Sequence, residues 1–99
     1  MSENINDISI SFYEDGNERV RELDKVILSK GAWSTIMFRY QEWVPSKNAF
    51  GPVKYSIRRY QKRNDQYWQK SKFNISSEDQ AQKIVETLST WLVQPIPAE

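Results

Sequence analysis

Three consecutive segments of this chain alternate between apolar and polar side chains, which is the pattern of strands with two unlike faces. The segments are residues 33–44, 53–63 and 66–75. The stretch 45–52, which is rich in proline, glycine and asparagine, predicts a loop between the first two segments. Asn64 and Asp65 predict a hairpin turn between the last two. The pattern indicates an antiparallel sheet.

Each segment is expected to place its apolar residues on one face. In residues 33–44 that face carries Ile36, Phe38, Tyr40 and Val44, and the other carries Trp33, Thr35, Met37, Arg39, Gln41 and Trp43. In residues 53–63 Val53, Tyr55 and Ile57 are expected opposite Lys54, Ser56, Arg58, Tyr60 and Lys62. In residues 66–75 Tyr67, Phe73 and Ile75 are expected in the core, opposite Trp68, Lys70, Lys72 and Asn74. Strict alternation would therefore put Trp68, Lys70 and Lys72 on one side.

The last part of the chain carries the clearest helix signal. Ser77 and Gln80 fit a capping box, and the proline at position 95 predicts the end of the helix. One apolar stripe runs along it, formed by Ala81, Ile84, Val85, Leu88, Trp91 and Leu92. The whole is an antiparallel sheet followed by an amphipathic helix.

The N-terminal part is less regular. Residues 1–7 are polar and expected to be mobile, residues 8–12 alternate as a short strand would, and residues 14–17 predict a turn. Residues 18–28 fit two structures: Val20, Leu23 and Ile27 have helical spacing, while the apolar run 26–28 suits a buried strand. Both alternatives are open at this point.

Charge is distributed very unevenly. Residues 25–72 carry eleven Lys and Arg against Glu42 and Asp65, a net charge of +9, while residues 1–24 carry −5 and residues 73–99 carry −3. Nine of the thirteen aromatic residues also lie in the basic middle. Cations interleaved with rings are typical of proteins that bind single-stranded nucleic acid, because cations meet phosphates and rings meet unstacked bases.

Composition argues against catalysis. The chain has no histidine and no cysteine, which removes the commonest general acid–base group and the commonest metal ligands, and Glu42 and Asp65 are the only acids in the basic middle. We therefore expect a non-enzyme with no cofactor, metal or small-molecule substrate. The acidic N-terminus does not resemble a secretory signal, so a cytoplasmic location is expected, nucleoid-associated if the source is prokaryotic.

The basic middle also resembles a known family. The stretch YSIRRY at 55–60, the tryptophan at 68, and KSKFNIS at 70–76 before an acidic helix start are similar to the core of the positive cofactor four (PC-four-like) transcriptional coactivators. There, an S-I-R-E-Y strand is followed by a tryptophan, a basic strand and an amphipathic helix. With GAW at 31–33 and PVKY at 52–55, the resemblance covers roughly residues 31–92.

The resemblance implies a curved antiparallel sheet of about four strands, dimerisation through the helices, and binding of single-stranded DNA with little sequence preference. Proteins of the Whirly type share this architecture. Arg58 and Tyr60 match the S-I-R-E-Y strand, Trp68 matches the intervening aromatic, and Lys70 and Lys72 match the basic strand. Arg59 stands where the family often has an acid, which leaves its role open.

These observations define candidate residues and three segments. Phosphate contacts are expected from Arg39, Lys54, Arg58, Lys62, Lys70 and Lys72, and base stacking from Trp33, Tyr60 and Trp68. A homodimer interface is expected from Ile84, Val85, Leu88, Trp91 and Leu92. The segments are an acidic region 1–24, partly disordered or a short strand, a ββββα nucleic-acid-binding domain 25–94, and a proline-containing tail 95–99.

Each feature has an alternative explanation. The basic face could be a solvated surface that protects sheet edges, and Trp33, Trp43 and Trp68 could pack on a partner subunit or on the N-terminal segment. An assembly module whose basic face docks an acidic protein is the alternative function, and single-stranded RNA is an alternative ligand. The acidic residues 1–24 could compete weakly with phosphate or form a solubilising arm, and we favour competition.

Overall fold

Six strands form one antiparallel sheet that is followed by one helix in the computed structural model, which describes residues 4–96. The elements are β1 (Phe12–Glu14), β2 (Asn17–Ser29), β3 (Trp33–Val44), β4 (Ala49–Phe50), β5 (Lys54–Arg63), β6 (Gln66–Ile75) and α1 (Glu78–Val93). The order is β1-β2-β3-β5-β6, and the short β4 pairs with β3. The α+β class is confirmed, with six strands instead of about four.

Two tight turns reverse the chain where the sequence predicts them. Asp15 and Gly16 connect β1 to β2, and Asn64 and Asp65 connect β5 to β6. All four have positive φ, between 53° and 80°. Aspartate, asparagine and glycine tolerate this conformation, and such two-residue turns match the twist of the flanking strands. Both turn predictions are confirmed.

Strand β2 resolves the ambiguity of residues 18–28 in favour of a strand and crosses the expected segment boundary at residue 24. It pairs with β3 along most of its length, so residues 17–24 of the acidic region belong to the main sheet. The short strand expected at residues 8–12 is wrong except for its last residue, since β1 begins at Phe12. The preceding residues pack against the sheet instead.

The register between β3 and β5 defines the two faces of the sheet. Ile36 pairs with Arg58 and Phe38 with Ser56, and paired residues in antiparallel strands point to the same side. The apolar side of β3 therefore continues as the basic side of β5. We call this the inner face. The opposite side, which includes Trp33 and the residue paired with it, Gln61, is the outer face.

A β-bulge in β6 reverses the expected pattern of that strand. Arg59 pairs with Ser71, but Tyr60 pairs with Gln69, so Lys70 is an extra residue without a partner on β5. An extra residue shifts the alternation by one position. As a result Trp68 lies on the outer face and Lys72 on the inner face, and the expectation that they share a side is wrong.

The bulge also separates the two aromatic residues predicted to lie in the core. Tyr67 pairs with Lys62 on the inner face and is buried, as predicted. Phe73 pairs with Ile57 on the outer face and is 51% exposed, so its assignment to the core is wrong. Ile75, also on the outer face, is buried.

The core lies between the inner face and residues 4–11, which we call the N-terminal strap. The strap contributes Ile5, Ile8 and Ile10, and the sheet contributes Ile36, Phe38, Tyr40, Tyr60 and Tyr67. The ammonium of Lys25 donates to the backbone carbonyls of Ile5, Asn6 and Ile8. Of residues 1–7, which are expected to be mobile, residues 4–7 pack on the sheet with Ile5 buried. Residues 1–3 lie outside the described part.

Helix α1 begins as predicted but packs little against the sheet. Ser77 Oγ accepts a hydrogen bond of 3.1 Å from the Gln80 amide, and Gln80 Oε1 accepts one of 3.2 Å from the Ser76 amide. None of the described helical residues is buried, and the radius of gyration is 16.4 Å against about 13 Å for a compact domain of this length. No helix between residues 4 and 96 has the length and apolarity to cross a membrane.

Candidate nucleic-acid interface

The structure divides the predicted nucleic-acid-binding residues between two faces. Trp33, Arg39 and Trp68 lie on the outer face, and Lys70 occupies the bulge beside Trp68. The inner face carries the remaining residues, Lys54, Arg58, Tyr60, Lys62 and Lys72. The two groups cannot contact one short segment of nucleic acid together, because the sheet lies between them.

Two of the inner-face cations, Lys54 and Arg58, have hydrogen-bond partners within the described residues. Lys54 Nζ lies 2.8 Å from Glu42 Oε1, and this hydrogen bond raises the pKa of Lys54. Arg58 donates from Nε to Ser56 Oγ and from Nη1 to Gln69 Oε1, both at 3.1 Å. These interactions hold the side chains along the sheet instead of projecting them toward a ligand.

Tyr60 presents almost no ring surface. It is 5% exposed beneath the strap, and burial raises its pKa, an effect that the Arg58 guanidinium opposes in part. Tyr40 on the same face is equally buried, and burial raises its pKa as well. The inner-face aromatic rings therefore form core and do not offer a stacking surface.

Trp33 and Trp68 form the exposed aromatic surface at one end of the outer face. They are 43% and 41% exposed, and each pairs with Gln61 on the strand between them. Two strand spacings separate them by about 10 Å, which is too far for the rings to stack on each other. Trp33 and Trp68, the tryptophan pair, are therefore two separate exposed rings on one face.

Cations surround the tryptophan pair. The Arg59 guanidinium lies 4.6 Å from the centre of the Trp33 ring, within cation–π distance. Beside Trp68 a cleft of about 350 Å³ is lined by Arg63, Asn64, Trp68, Gln69 and Lys70. Sequence reasoning did not assign Arg59 and Arg63, since their position beside the tryptophans depends on strand register. Alternation along β5 puts Arg59 and Arg63 on the same face as each other. The register between β5 and β3 was also needed to show that this is the face of Trp33.

The middle of the outer face is more apolar. Val26 pairs with Met37, and Met37 pairs with Ile57, which in turn pairs with Phe73. Val26 and Phe73 are each about half exposed. Arg39 lies beyond this apolar row, toward the other end of β3, and is exposed. The helix residues named for a dimer interface are also accessible, with Val85, Leu88, Trp91 and Leu92 all about half exposed or more.

No group of three acidic side chains that could hold a metal ion occurs within residues 4–96. Comparisons with family models, with curated proteins and with solved structures found no match to this chain. Function must therefore be inferred from the arrangement of exposed rings and cations.

Proposed function

We propose that this protein binds single-stranded nucleic acid, with little sequence preference, through the tryptophan pair on the outer face. The observation that carries the proposal is two half-exposed tryptophans on one face with three cations, Arg59, Arg63 and Lys70, beside them. Duplex DNA keeps its bases stacked inside, whereas a single strand can offer bases to both rings and phosphates to the cations. The resemblance to the positive cofactor four family supports the same ligand and a role in transcription.

The rings and the cations have different tasks. Stacking on an aromatic side chain contributes about 1 to 3 kcal/mol per base and tolerates any base, because every base has a π face. Each phosphate neutralised by a cation makes binding weaken with salt, with a slope of about −0.7 per contact for single strands. Arg59 supplies a cation for phosphate contact beside Trp33, since its guanidinium lies 4.6 Å from the centre of that ring.

We also propose that the protein acts as a homodimer through α1. Most of the apolar stripe of this helix stays exposed in the described chain, and the molecule is more extended than a compact domain of its length. A second copy of the same helix offers a complementary apolar surface. Dimerisation would also bring two tryptophan pairs into one particle, which raises affinity for a longer strand by effective concentration.

Single substitutions at the bulge residue Lys70 and at Trp68 and Lys72 on either side of it test the proposal. Trp68→Ala should lower affinity for a single-stranded oligonucleotide about 5-fold to 160-fold with an unchanged salt slope, and Trp68→Phe should restore most of the affinity. Lys70→Ala should lower affinity and flatten the salt slope by about 0.7. Lys72→Ala is the matched control, because Lys72 lies two residues away on the inner face.

Three results would count against this mechanism. Equal losses in Lys70→Ala and Lys72→Ala would show that the outer face is not the binding surface. If Trp68→Ala lowered the stability of the protein but left the affinity of its folded fraction unchanged, Trp68 would have a structural role. A protein that binds no oligonucleotide but captures acidic proteins would favour the assembly module instead.

A further inference from the structure

A second cleft lies on the outer face at the opposite end of β3. Its volume is about 390 Å³, and it is lined by Asn17, Glu18, Arg19, Arg21, Trp43, Asn48 and Phe50. It forms because β4 folds back on β3 and pairs Phe50 with Trp43, while β2 brings its two arginines alongside. A volume of this size is within the range of small-ligand sites. We call it the Trp43 cleft.

The aromatic side of the Trp43 cleft is held in a fixed arrangement. Phe50 meets Trp43 edge to face, with ring centres 5.2 Å apart and an interplanar angle of 81°. The Arg21 guanidinium lies 3.8 Å from the centre of the Phe50 ring. Both contacts already restrain the side chains of Phe50 and Arg21, so these side chains lose little rotational freedom when a ligand binds. The cleft is therefore preorganised for a flat ligand.

The two arginines keep donors available for an anion. Arg21 uses Nε for Glu18, at 2.9 Å, and Arg19 Nε lies 3.6 Å from Glu14 without forming a hydrogen bond. Their terminal nitrogens donate no hydrogen bond to other residues in the described chain. A guanidinium presents its donors as a planar fork that fits phosphate oxygens. The lining residues Glu18, Arg19 and Arg21 give a net charge of +1, and the Glu14 carboxylate lies outside the lining, 3.6 Å from Arg19 Nε.

We propose that the Trp43 cleft holds one nucleotide of the bound strand, with its base against Trp43 and its phosphate on Arg19 and Arg21. Aromatic walls alone would suit any apolar ring, and arginines alone any anion. Their combination in one cleft selects a ligand that has both, which is a nucleotide. The inference rests on the proposed function and extends it, since it gives the bound strand a second anchor.

Strand geometry sets the distance between the two anchors. Trp33 and Trp43 lie ten residues apart on the outer face of β3, which corresponds to at most about 34 Å. At the stacked spacing of about 3.4 Å per nucleotide, roughly ten nucleotides cover this distance. Arg39 lies between the anchors on the same face. An oligonucleotide of about 4 nucleotides should therefore occupy one anchor, and one of about 12 nucleotides should reach both.

The test compares oligothymidylates of these two lengths on the full chain. Trp43→Ala and Arg19→Ala should each lower affinity for the 12-mer about 5-fold or more and reduce the number of 4-mers bound per chain from two to one. Trp68→Ala should also leave one 4-mer site per chain, and this remaining site is the Trp43 cleft. Glu18→Gln keeps an acceptor for Arg21 but removes the negative charge, so it should strengthen binding of both lengths.

The outcomes separate this inference from the proposed function. If Trp68→Ala weakens the 12-mer while Arg19→Ala, Trp43→Ala and Glu18→Gln all leave it unchanged, the Trp43 cleft is not an anchor although the tryptophan pair is. If neither length binds to the unaltered protein, the proposed function is wrong and the inference falls with it. Glu18→Gln keeps the test decisive even if Trp43→Ala disturbs the pairing of β3 with β4.

Discussion

Replacing Lys25 by methionine should release the N-terminal strap from the sheet. The Lys25 ammonium donates to three strap carbonyls, those of Ile5, Asn6 and Ile8, and lies 2.7 Å from the Asn6 oxygen and 3.4 Å from the Ile5 oxygen. Methionine retains an unbranched stem of similar length but cannot donate. The substitution therefore removes the hydrogen bonds and leaves most of the packing in place.

The expected loss of stability follows from these contacts. A hydrogen bond to a charged group contributes about 1.5 to 3 kcal/mol, and the long contact to Ile5 contributes little. Lys25 is only half-buried, so water replaces part of what is lost. We expect the free energy of unfolding to fall by about 2 to 3 kcal/mol, a large part of the total for a small domain. With a urea dependence near 1 kcal/mol per molar, the midpoint should drop by about 2 to 3 M.

Urea unfolding followed by circular dichroism measures this loss, and Lys30→Met is the matched control because Lys30 is exposed in the turn before β3. Amide exchange adds a local readout. The Ile10 amide, which donates to Glu22 at 3.2 Å, should exchange faster in Lys25→Met. Equal midpoints for the two variants would refute the view that Lys25 holds the strap and that the strap closes the inner face.

Three further predictions concern the helix, the strap and the buried tyrosines. Leu88→Glu should convert a dimer to a monomer in sedimentation and weaken binding of long oligonucleotides, whereas Ser89→Glu should do neither; a monomeric unaltered protein would contradict the dimer. Deleting residues 1–7 should raise nucleic-acid affinity slightly at low salt and not at high salt, because it removes the negative charges of Glu3 and Asp7, and it should lower stability by removing Ile5. The effect on affinity is one of long-range charge, since the strap covers the inner face and not the tryptophan pair; unchanged affinity at low salt would make the segment an inert arm in binding. The contribution of Tyr40 and Tyr60 to stability should be constant below pH 10 and be lost above it, because burial raises their pKa from 10.0 and only the unfolded chain ionises there. Tyr40→Phe with Tyr60→Phe should flatten the fall of stability in alkaline denaturation, and an unchanged profile would contradict it.

The elements with strong local signals were predictable from sequence. The pattern of residues 33–44 gives β3 its bounds, and Ser77 with Gln80 marks the start of α1. The turn at Asn64 and Asp65 follows from side chains that tolerate positive φ. Each of these elements is determined by interactions between residues that are close in sequence, so its pattern can be recognised in a single sequence.

The arrangement of the candidate site was not predictable in the same way. The bulge at Lys70 depends on how β6 pairs with β5, and it moves Trp68 and Lys72 to opposite faces. The buried position of Tyr60 depends on the strap, which is separated from it by some fifty residues in sequence. Such long-range pairings decide which polar and aromatic side chains meet, and alternation along one strand does not contain that information.

The protein is proposed to recognise unpaired nucleic acid through rings and cations together. The most direct test of this claim is a salt-dependent titration with single-stranded DNA, single-stranded RNA and duplex DNA of equal length. We predict clear preference for single strands over duplex, with an affinity that falls with salt at a slope of about −2 or steeper, as expected for contacts from Arg59, Arg63 and Lys70. Equal binding of duplex DNA, or no binding of any nucleic acid at low salt, would contradict the claim.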